Sequence, residues 1–172
     1  MSEVGSRKAK QSPSLKARAL RLLSVREYSR KGLAAKLAES DARWGKLSGE
    51  QAEQTTESRD IQIQAVLDDF EARGWLSDER FAEALVRRRS ERYGMRKIVD
   101  ELERAGVDSQ QAAKVLGALK ETEFQRAYDL WVRKYGVTAV DQKERARQYR
   151  FLASKGFGLE VVAKIISGKQ PD

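Results

Sequence analysis

Three groups of arginine and lysine residues recur along the chain, and positive charge is the main chemistry that its side chains offer. In the central group, Arg88 and Arg92 lie four residues apart, and the residue four before Arg88 is Ala84, which is not acidic. Like charges at this spacing destabilise a helix by a few tenths of a kcal/mol, so we single them out as part of a candidate binding site for a partner. Such groups bind phosphate or carboxylate oxygens, although a charge run also fits an ordinary solvated face. The central group contains Arg88, Arg92, Arg96 and Lys97, the first contains Arg26, Arg30 and Lys31, and the last contains Arg147, Arg150 and Lys155.

Arg87 contrasts with its neighbours in the central group. Glu83 stands four residues before it and Glu91 four residues after it. Acidic and basic residues at this spacing stabilise helices. The spacing therefore predicts that Arg87 is paired and structural.

Catalytic and metal-binding chemistry has little support in the sequence. The chain has no cysteine and no histidine, which excludes disulfides, zinc fingers and catalysis by Ser-His or Cys-His pairs. The acidic groups Asp68-Asp69 and Asp100, Glu101 and Glu103 lack the spacing of a known metal site. No glycine loop suited to phosphate is present. We therefore predict no enzyme activity, no catalytic residues, no metal and no cofactor.

The overall charge indicates the class of partner. Among 172 residues, 34 are basic and 26 acidic, which gives a net charge of +8, and the pI is about 9.8. This balance favours an anionic partner. No apolar run approaches the ~20 residues that span a bilayer, and the N-terminus is polar, so we predict a cytoplasmic protein without membrane contact.

The elements that carry these charges are indicated by a pattern that occurs three times. An aromatic residue and a small residue are followed, four and eight residues later, by aliphatic residues. The small residue can cap a new helix, and the aromatic one can pack against its first turn. The pairs are Tyr28-Ser29, Tyr93-Gly94 and Phe157-Gly158, and the aliphatic residues are Leu33, Leu37, Ile98, Leu102, Val162 and Ile166. Three such units predict stacked helical repeats.

The fold class predicted is all-α, with tandem three-helix repeats stacked in an elongated, curved array. Only two prolines, Pro13 and Pro171, occur, and both lie at the ends, so none breaks a helix between them. The predicted helices cover 14–28, 30–39, 61–73, 77–92, 95–105, 109–119, 121–135, 141–155 and 159–167. The predicted organisation is a disordered basic tail 1–13, repeat 1 at 14–76 with a polar acidic connection 41–60, repeat 2 at 77–120, repeat 3 at 121–168 and a tail 169–172.

Four aromatic residues at helical spacing and one isolated tryptophan are candidate contacts for a partner. Phe124, Tyr128, Trp131 and Tyr135 lie at helical spacing. They could stack on bases, but we interpret them as core residues because a thin core needs large side chains. Trp44 stands alone in the predicted connection and fits either a small satellite cluster or an exposed contact.

The order of these pieces resembles the RecX family, the bacterial regulators of the recombinase RecA, over roughly residues 14–168. The matching stretches read REYSRKGLAAKL, RGWLSDERFAEALVRRRS, YGMRKIVDELERAGV, VRKYG and RQYRFLASKGFGLEVVAKII. The resemblance implies tandem three-helix repeats that bind RecA filaments and damp their activity. Where the family commonly reads Gly-Pro-x-Arg-Ile, this chain has lysine at Lys97 in place of the arginine, which keeps the charge but not a bidentate contact.

Two functions follow as expectations. The resemblance implies a monomeric regulator that binds the RecA–DNA filament and mainly inhibits its recombinase and ATPase activity, in DNA repair, recombination and the SOS response. Composition alone supports, almost equally, a helical-repeat protein that binds DNA without sequence preference and without filament specificity. In both cases, affinity for bare DNA should be weak and independent of sequence.

Overall fold

The computed structural model describes residues 13–48 and 56–171, and over these ranges all regular structure is helical. The all-α prediction is thereby confirmed. The predicted tail 1–13 lies, apart from Pro13, outside the described residues. The helices are α1 (Leu15–Leu23), α2 (Arg30–Ser48), α3 (Thr56–Ala72), α4 (Asp78–Arg89), α5 (Met95–Arg104), α6 (Ala113–Glu121), α7 (Glu123–Lys134), α8 (Gln142–Ser154) and α9 (Leu159–Ile166).

The chain divides into two compact units, Met1–Ser77 and Asp78–Asp172. Unit 1 contains α1–α3, and unit 2 contains α4–α6 followed by α7–α9. Each set of three helices encloses its own cluster of buried apolar residues, as tandem three-helix repeats require. The cores include Ala19, Leu33, Leu37, Leu67 and Phe70 in repeat 1, Leu85, Ile98, Leu102 and Leu119 in repeat 2, and Trp131, Leu152, Phe157, Val162 and Ile165 in repeat 3.

The thrice-repeated pattern forms the turn that opens the second or third helix of each repeat. In repeat 1 the Ser29 hydroxyl accepts a hydrogen bond from the Gly32 N–H at 3.0 Å, which is the predicted N-cap. Gly94 and Gly158 stand at the same position before α5 and α9 and offer no side-chain cap. The aliphatic residues four positions later, Leu33, Ile98 and Val162, are fully buried.

The prediction of a connection over 41–60 is wrong for most of its length. Helix α2 continues to Ser48, and α3 already begins at Thr56. Asp41 accepts from Arg18 of α1 at 2.9 Å and lies 3.4 Å from the Arg59 guanidinium of α3. These ion pairs connect the polar part of α2 to both neighbouring helices. Residues 49–55 of the predicted connection lie outside the described residues.

Two turns explain where neighbouring helices begin and end. After α3, Gly74 adopts a φ of 69°, and the Trp75 and Leu76 N–H groups both donate to the Phe70 carbonyl at 2.8 and 3.1 Å. This confirms the predicted C-terminal glycine. Before α6, the Asp108 carboxylate accepts from the Gln110 and Gln111 N–H groups, each at 2.8 Å. That turn delays α6 to Ala113, whereas the sequence predicted a start at residue 109.

No helix among the described residues is long and apolar enough to cross a membrane.

Candidate partner-binding surface

The glycine turns of repeats 2 and 3 meet backbone to backbone inside unit 2. The Gly94 N–H donates to the Lys155 carbonyl at 3.0 Å, and the Arg96 N–H donates to the Gly156 carbonyl at 3.1 Å. A Cβ atom on Gly94 would overlap the backbone of Gly156 and Phe157. The glycine is therefore required for close approach, a role that the sequence analysis did not assign to it.

A buried carboxylate joins the same two turns. The Glu123 side chain, at the start of α7, belongs to a residue that is only 8% exposed. Its Oε1 atom accepts from the Met95 N–H at 3.0 Å and from the Gly158 N–H at 3.3 Å. These donors stand at the N-termini of α5 and α9, where the helix dipole favours negative charge. One side chain thus binds the starts of helices from two repeats.

Arg126, one turn further along α7, fixes the segment before Gly94. Its guanidinium donates to the Ser90 and Tyr93 carbonyls at 2.7 and 3.0 Å, and to the Leu119 carbonyl at 2.8 Å. Burial lowers the pKa of Arg126, and the charge of Glu123 opposes that shift. The charge is therefore committed to the interior of unit 2 and is unavailable to a partner.

This junction places a set of cations and aromatic rings on one surface. The Lys155 Nζ atom lies 5.5 Å from the centre of the Tyr93 ring and 5.6 Å from that of Phe151. Lys97 approaches the Tyr93 ring at 5.2 Å, and Lys134 approaches the Phe151 ring at 4.7 Å. These distances are in the range of cation–π attraction, so the rings orient the ammonium groups without neutralising them.

A cavity of about 430 Å³ opens on this surface. Among the described residues that line it, four side chains are cationic and none is acidic. A concave site lined by one sign of charge concentrates ions of the other sign. We call this set the basic–aromatic surface; its members are Arg92, Tyr93, Lys97, Leu130, Arg133, Lys134, Phe151 and Lys155.

Three of the sequence-predicted site residues, Arg92, Lys97 and Lys155, are thus brought together, although they come from two groups. Arg88 and Arg96 are exposed and are not among the lining of the cavity. The last group is otherwise dispersed: Arg147 lies 3.5 Å from Glu144, and Arg150 is exposed on α8.

The prediction for Arg87 is wrong. Within the described chain, neither Glu83 nor Glu91 lies at ion-pair distance from it. The paired residue is Arg89, whose Nε and Nη2 atoms both donate to Glu101 at 3.1 Å. This pair joins α4 to α5, and it raises the pKa of Arg89.

The first basic group lies in unit 1, and part of it serves the fold. The Arg30 guanidinium donates to Gln64, Asp68 and Glu71 of α3. Burial lowers the pKa of Arg30, but the bonds to Asp68 and Glu71 outweigh it, so the net shift is upward. Arg26 lies over the Tyr28 ring at 4.5 Å, and Lys31 is exposed.

Several residues of the basic–aromatic surface carry little signal in the sequence. Lys134 and Arg133 were not singled out because their partners lie far along the chain. Their only local signal is the basic pair inside the stretch VRKYG.

The prediction that Phe124, Tyr128, Trp131 and Tyr135 are core residues is confirmed. Trp131 is 4% exposed, and its Nε1 donates to Gln148 at 3.0 Å. The other three aromatic residues pack against the same core.

Comparisons with known proteins agree on one family. The model of the RecX second three-helix domain matches residues 77–116, and that of the third matches residues 121–166. A regulatory protein RecX of Leptothrix cholodnii is 43% identical over 153 residues, which cover 89% of this chain and 87% of the relative. That of Herminiimonas arsenicoxydans is 40% identical and covers 94% of this chain and 97% of the relative.

A solved structure supports the same fold. The crystal structure of RecX from Lactobacillus salivarius aligns with a TM-score of 0.66 at 18% identity, covering 89% of this chain and 92% of that one. Similarity at that identity establishes the fold, and the curated relatives establish the family. The chain belongs to the RecX family of regulatory proteins.

Proposed function

We propose that this protein binds the RecA–DNA filament through the basic–aromatic surface and thereby inhibits the recombinase and ATPase activity of RecA. The observation that carries the proposal is the cavity of unit 2, where four cationic side chains converge and no acidic side chain is among the described lining residues. None of the four has an ion pair within the described chain, in contrast to Arg89, which pairs with Glu101. Arg133 also donates to the Glu91 carbonyl at 3.1 Å, a contact that leaves its charge unpaired. Family membership supplies the regulatory role, and binding rather than catalysis would exert it.

The chemistry of the surface suits a polyanionic partner. Lysine and arginine would approach carboxylates or phosphates of the filament, and the apolar edges of Tyr93, Leu130 and Phe151 would pack against its apolar groups. Inhibition would follow from blocked access of DNA, from slower exchange of RecA subunits, or from a disfavoured active filament. A RecA partner places the protein in the cytoplasm, where we propose that it acts as a monomer.

The DNA-dependent ATPase of RecA tests the proposal. The full chain should inhibit it at amounts well below one per RecA subunit. The double variant R92A/K134A removes two charges from the cavity. It should require at least about ten times more protein for the same inhibition, because truncating one partner of a buried charge pair in an interface costs about 2–5 kcal/mol.

The matched control is K114A/K120A, which removes the same charge from exposed positions of α6 in the same unit. It should inhibit as the parent does. Equal inhibition by R92A/K134A and the parent would show that the surface is only solvated charge. Inhibition that scaled with occupied DNA instead of RecA would favour the alternative, a protein that binds DNA without filament specificity.

A further inference from the structure

A second concave surface lies in unit 1, between α1 and α2. Its volume is about 440 Å³. On one side Ala17 and Arg21 lie four residues apart on α1, with Val25 in the turn that follows this helix, and on the other side Trp44 stands four residues after Ser40 on α2. Residues spaced by four lie on one face of a helix. The cavity is therefore a groove that runs along two neighbouring helices.

The floor of this groove is apolar although both helices already bury another face. Ala19, Leu33 and Leu37 of the same helices are fully buried in the core of unit 1. The groove side instead presents Trp44 on α2, which is half-buried, and Val25 in the turn after α1, which is 80% exposed. Trp44 is thus a groove residue on a helix and not part of a loop.

The rim of the groove carries excess positive charge. Lys36 and Arg43 share one carboxylate, that of Glu39, at 2.7 and 3.1 Å. Arg21 has no ion pair within the described chain. Among the described lining residues, these three rim cations against one rim acid leave a net charge of +2. Arg18 also lines the groove, but Asp41 binds it at 2.9 Å.

We propose that this groove binds an amphipathic helix of a partner protein, with acidic residues flanking its apolar face. An apolar stripe between two helices accepts a third helix through residues at i, i+3, i+4 and i+7. The basic rim selects acidic flanks by charge complementarity. The chain's own residues 1–12 contain three basic residues and one acidic residue, so their charge does not suit the rim. The proposal is independent of the function proposed for unit 2.

Isothermal titration of the full chain tests the groove with a synthetic 16-residue helical peptide that carries leucine on one face and glutamate on both flanks. We expect saturable binding with one peptide per chain. A peptide with lysine flanks, and one with the same composition in scrambled order, should bind at least about tenfold more weakly, because they lack charge complementarity or an apolar stripe.

Two groove variants and one matched control complete the test. V25E and R21E should each weaken the binding of the glutamate peptide at least about tenfold, while I61E should bind the peptide as the parent does. Ile61 is 65% exposed on α3 of the same unit and does not line the groove. Circular dichroism verifies that each variant folds, and two independent variants keep the test valid if one does not.

Several results would overturn the proposal. These are no binding of the glutamate peptide, equal binding of the lysine peptide, and equal loss in I61E and V25E. Binding seen only after removal of residues 1–12 would assign the groove to the chain's own segment. Concentration-dependent dimerisation that V25E abolishes would assign it to a second copy.

Discussion

At the scale of single residues, the carboxylate of Glu123 connects two of the repeats of unit 2. It satisfies two backbone donors that open helices in different repeats. Unpaired buried N–H groups cost about 1–3 kcal/mol each. The carboxylate therefore contributes to the junction of repeats 2 and 3, and through it to the placement of Tyr93 and Lys155.

Replacing Glu123 with alanine should lower the free energy of unfolding by about 2–4 kcal/mol, because both donors lose their acceptor. Urea denaturation should be followed by the fluorescence of Trp131 in a W44F/W75F background, which leaves one tryptophan, in unit 2. The control is E121A, two positions earlier and exposed, where we expect a change within about 0.5 kcal/mol. Equal losses in both variants would contradict the role of Glu123.

The spacing of charges in the sequence could not identify the structural roles of Glu123 and Arg89. The partners of Glu123 lie 28 and 35 residues away, and both are backbone groups. Local pairs such as Arg87 with Glu83 were predictable in principle, but each stabilises an exposed helix by only about 0.2–0.5 kcal/mol. Such a small energy does not fix a long side chain in one geometry. Arg89 finds a bidentate partner across a turn instead.

At the scale of elements, the sequence predicted most helix starts because their signals are local. Ser29 and Asp141 each accept a hydrogen bond from the N–H group three residues later, as their types and positions indicate. The extension of α2 was not predictable in this way. Its polar residues read as a loop, and the ion pairs of Asp41 with α1 and α3 that attach it arise only when unit 1 folds.

The close approach of the glycine turns of repeats 2 and 3 predicts the effect of replacing Gly94. G94A should lower the free energy of unfolding of unit 2 by about 2–4 kcal/mol, because the new Cβ overlaps backbone atoms that cannot rotate away. G117A is the matched control: Gly117 lies inside α6 with open space around its Cα. Alanine there should stabilise the helix by up to about 1 kcal/mol. The same Trp131 fluorescence assay measures both, and comparable stability of the two variants would refute a tight junction.

At the scale of the whole molecule, the family was predictable because the turn pattern and its spacing persist along the chain. The basic–aromatic surface was not predictable as a unit. It combines Arg92 and Lys97 from around one turn with Lys134 from the end of α7 and Lys155 from the end of α8. Only the packing of repeat 3 against repeat 2 brings these charges together. In the sequence, the residues that the two repeats contribute are separated by whole helices.

Affinity for bare DNA should depend on this surface and on salt. Each phosphate contact to single-stranded DNA contributes about −0.7 to the slope of log K against log salt. If the four cations of the cavity, Arg92, Arg133, Lys134 and Lys155, each meet a phosphate, the slope is about −3. Affinity would then fall roughly fiftyfold between 50 and 200 mM salt. Fluorescence anisotropy with a labelled oligonucleotide, repeated on a second sequence, measures the slope and its independence of sequence.

The variants proposed for the RecA inhibition assay test whether the salt dependence of DNA binding arises from the basic–aromatic surface. R92A/K134A should make it shallower by about 1.4, because two contacts are lost, whereas K114A/K120A should leave it nearly unchanged although the net charge falls equally. Equal effects of the two variants would mean that DNA responds to total charge and not to this site. A tight complex that survived high salt and preferred one sequence would contradict backbone-only contact.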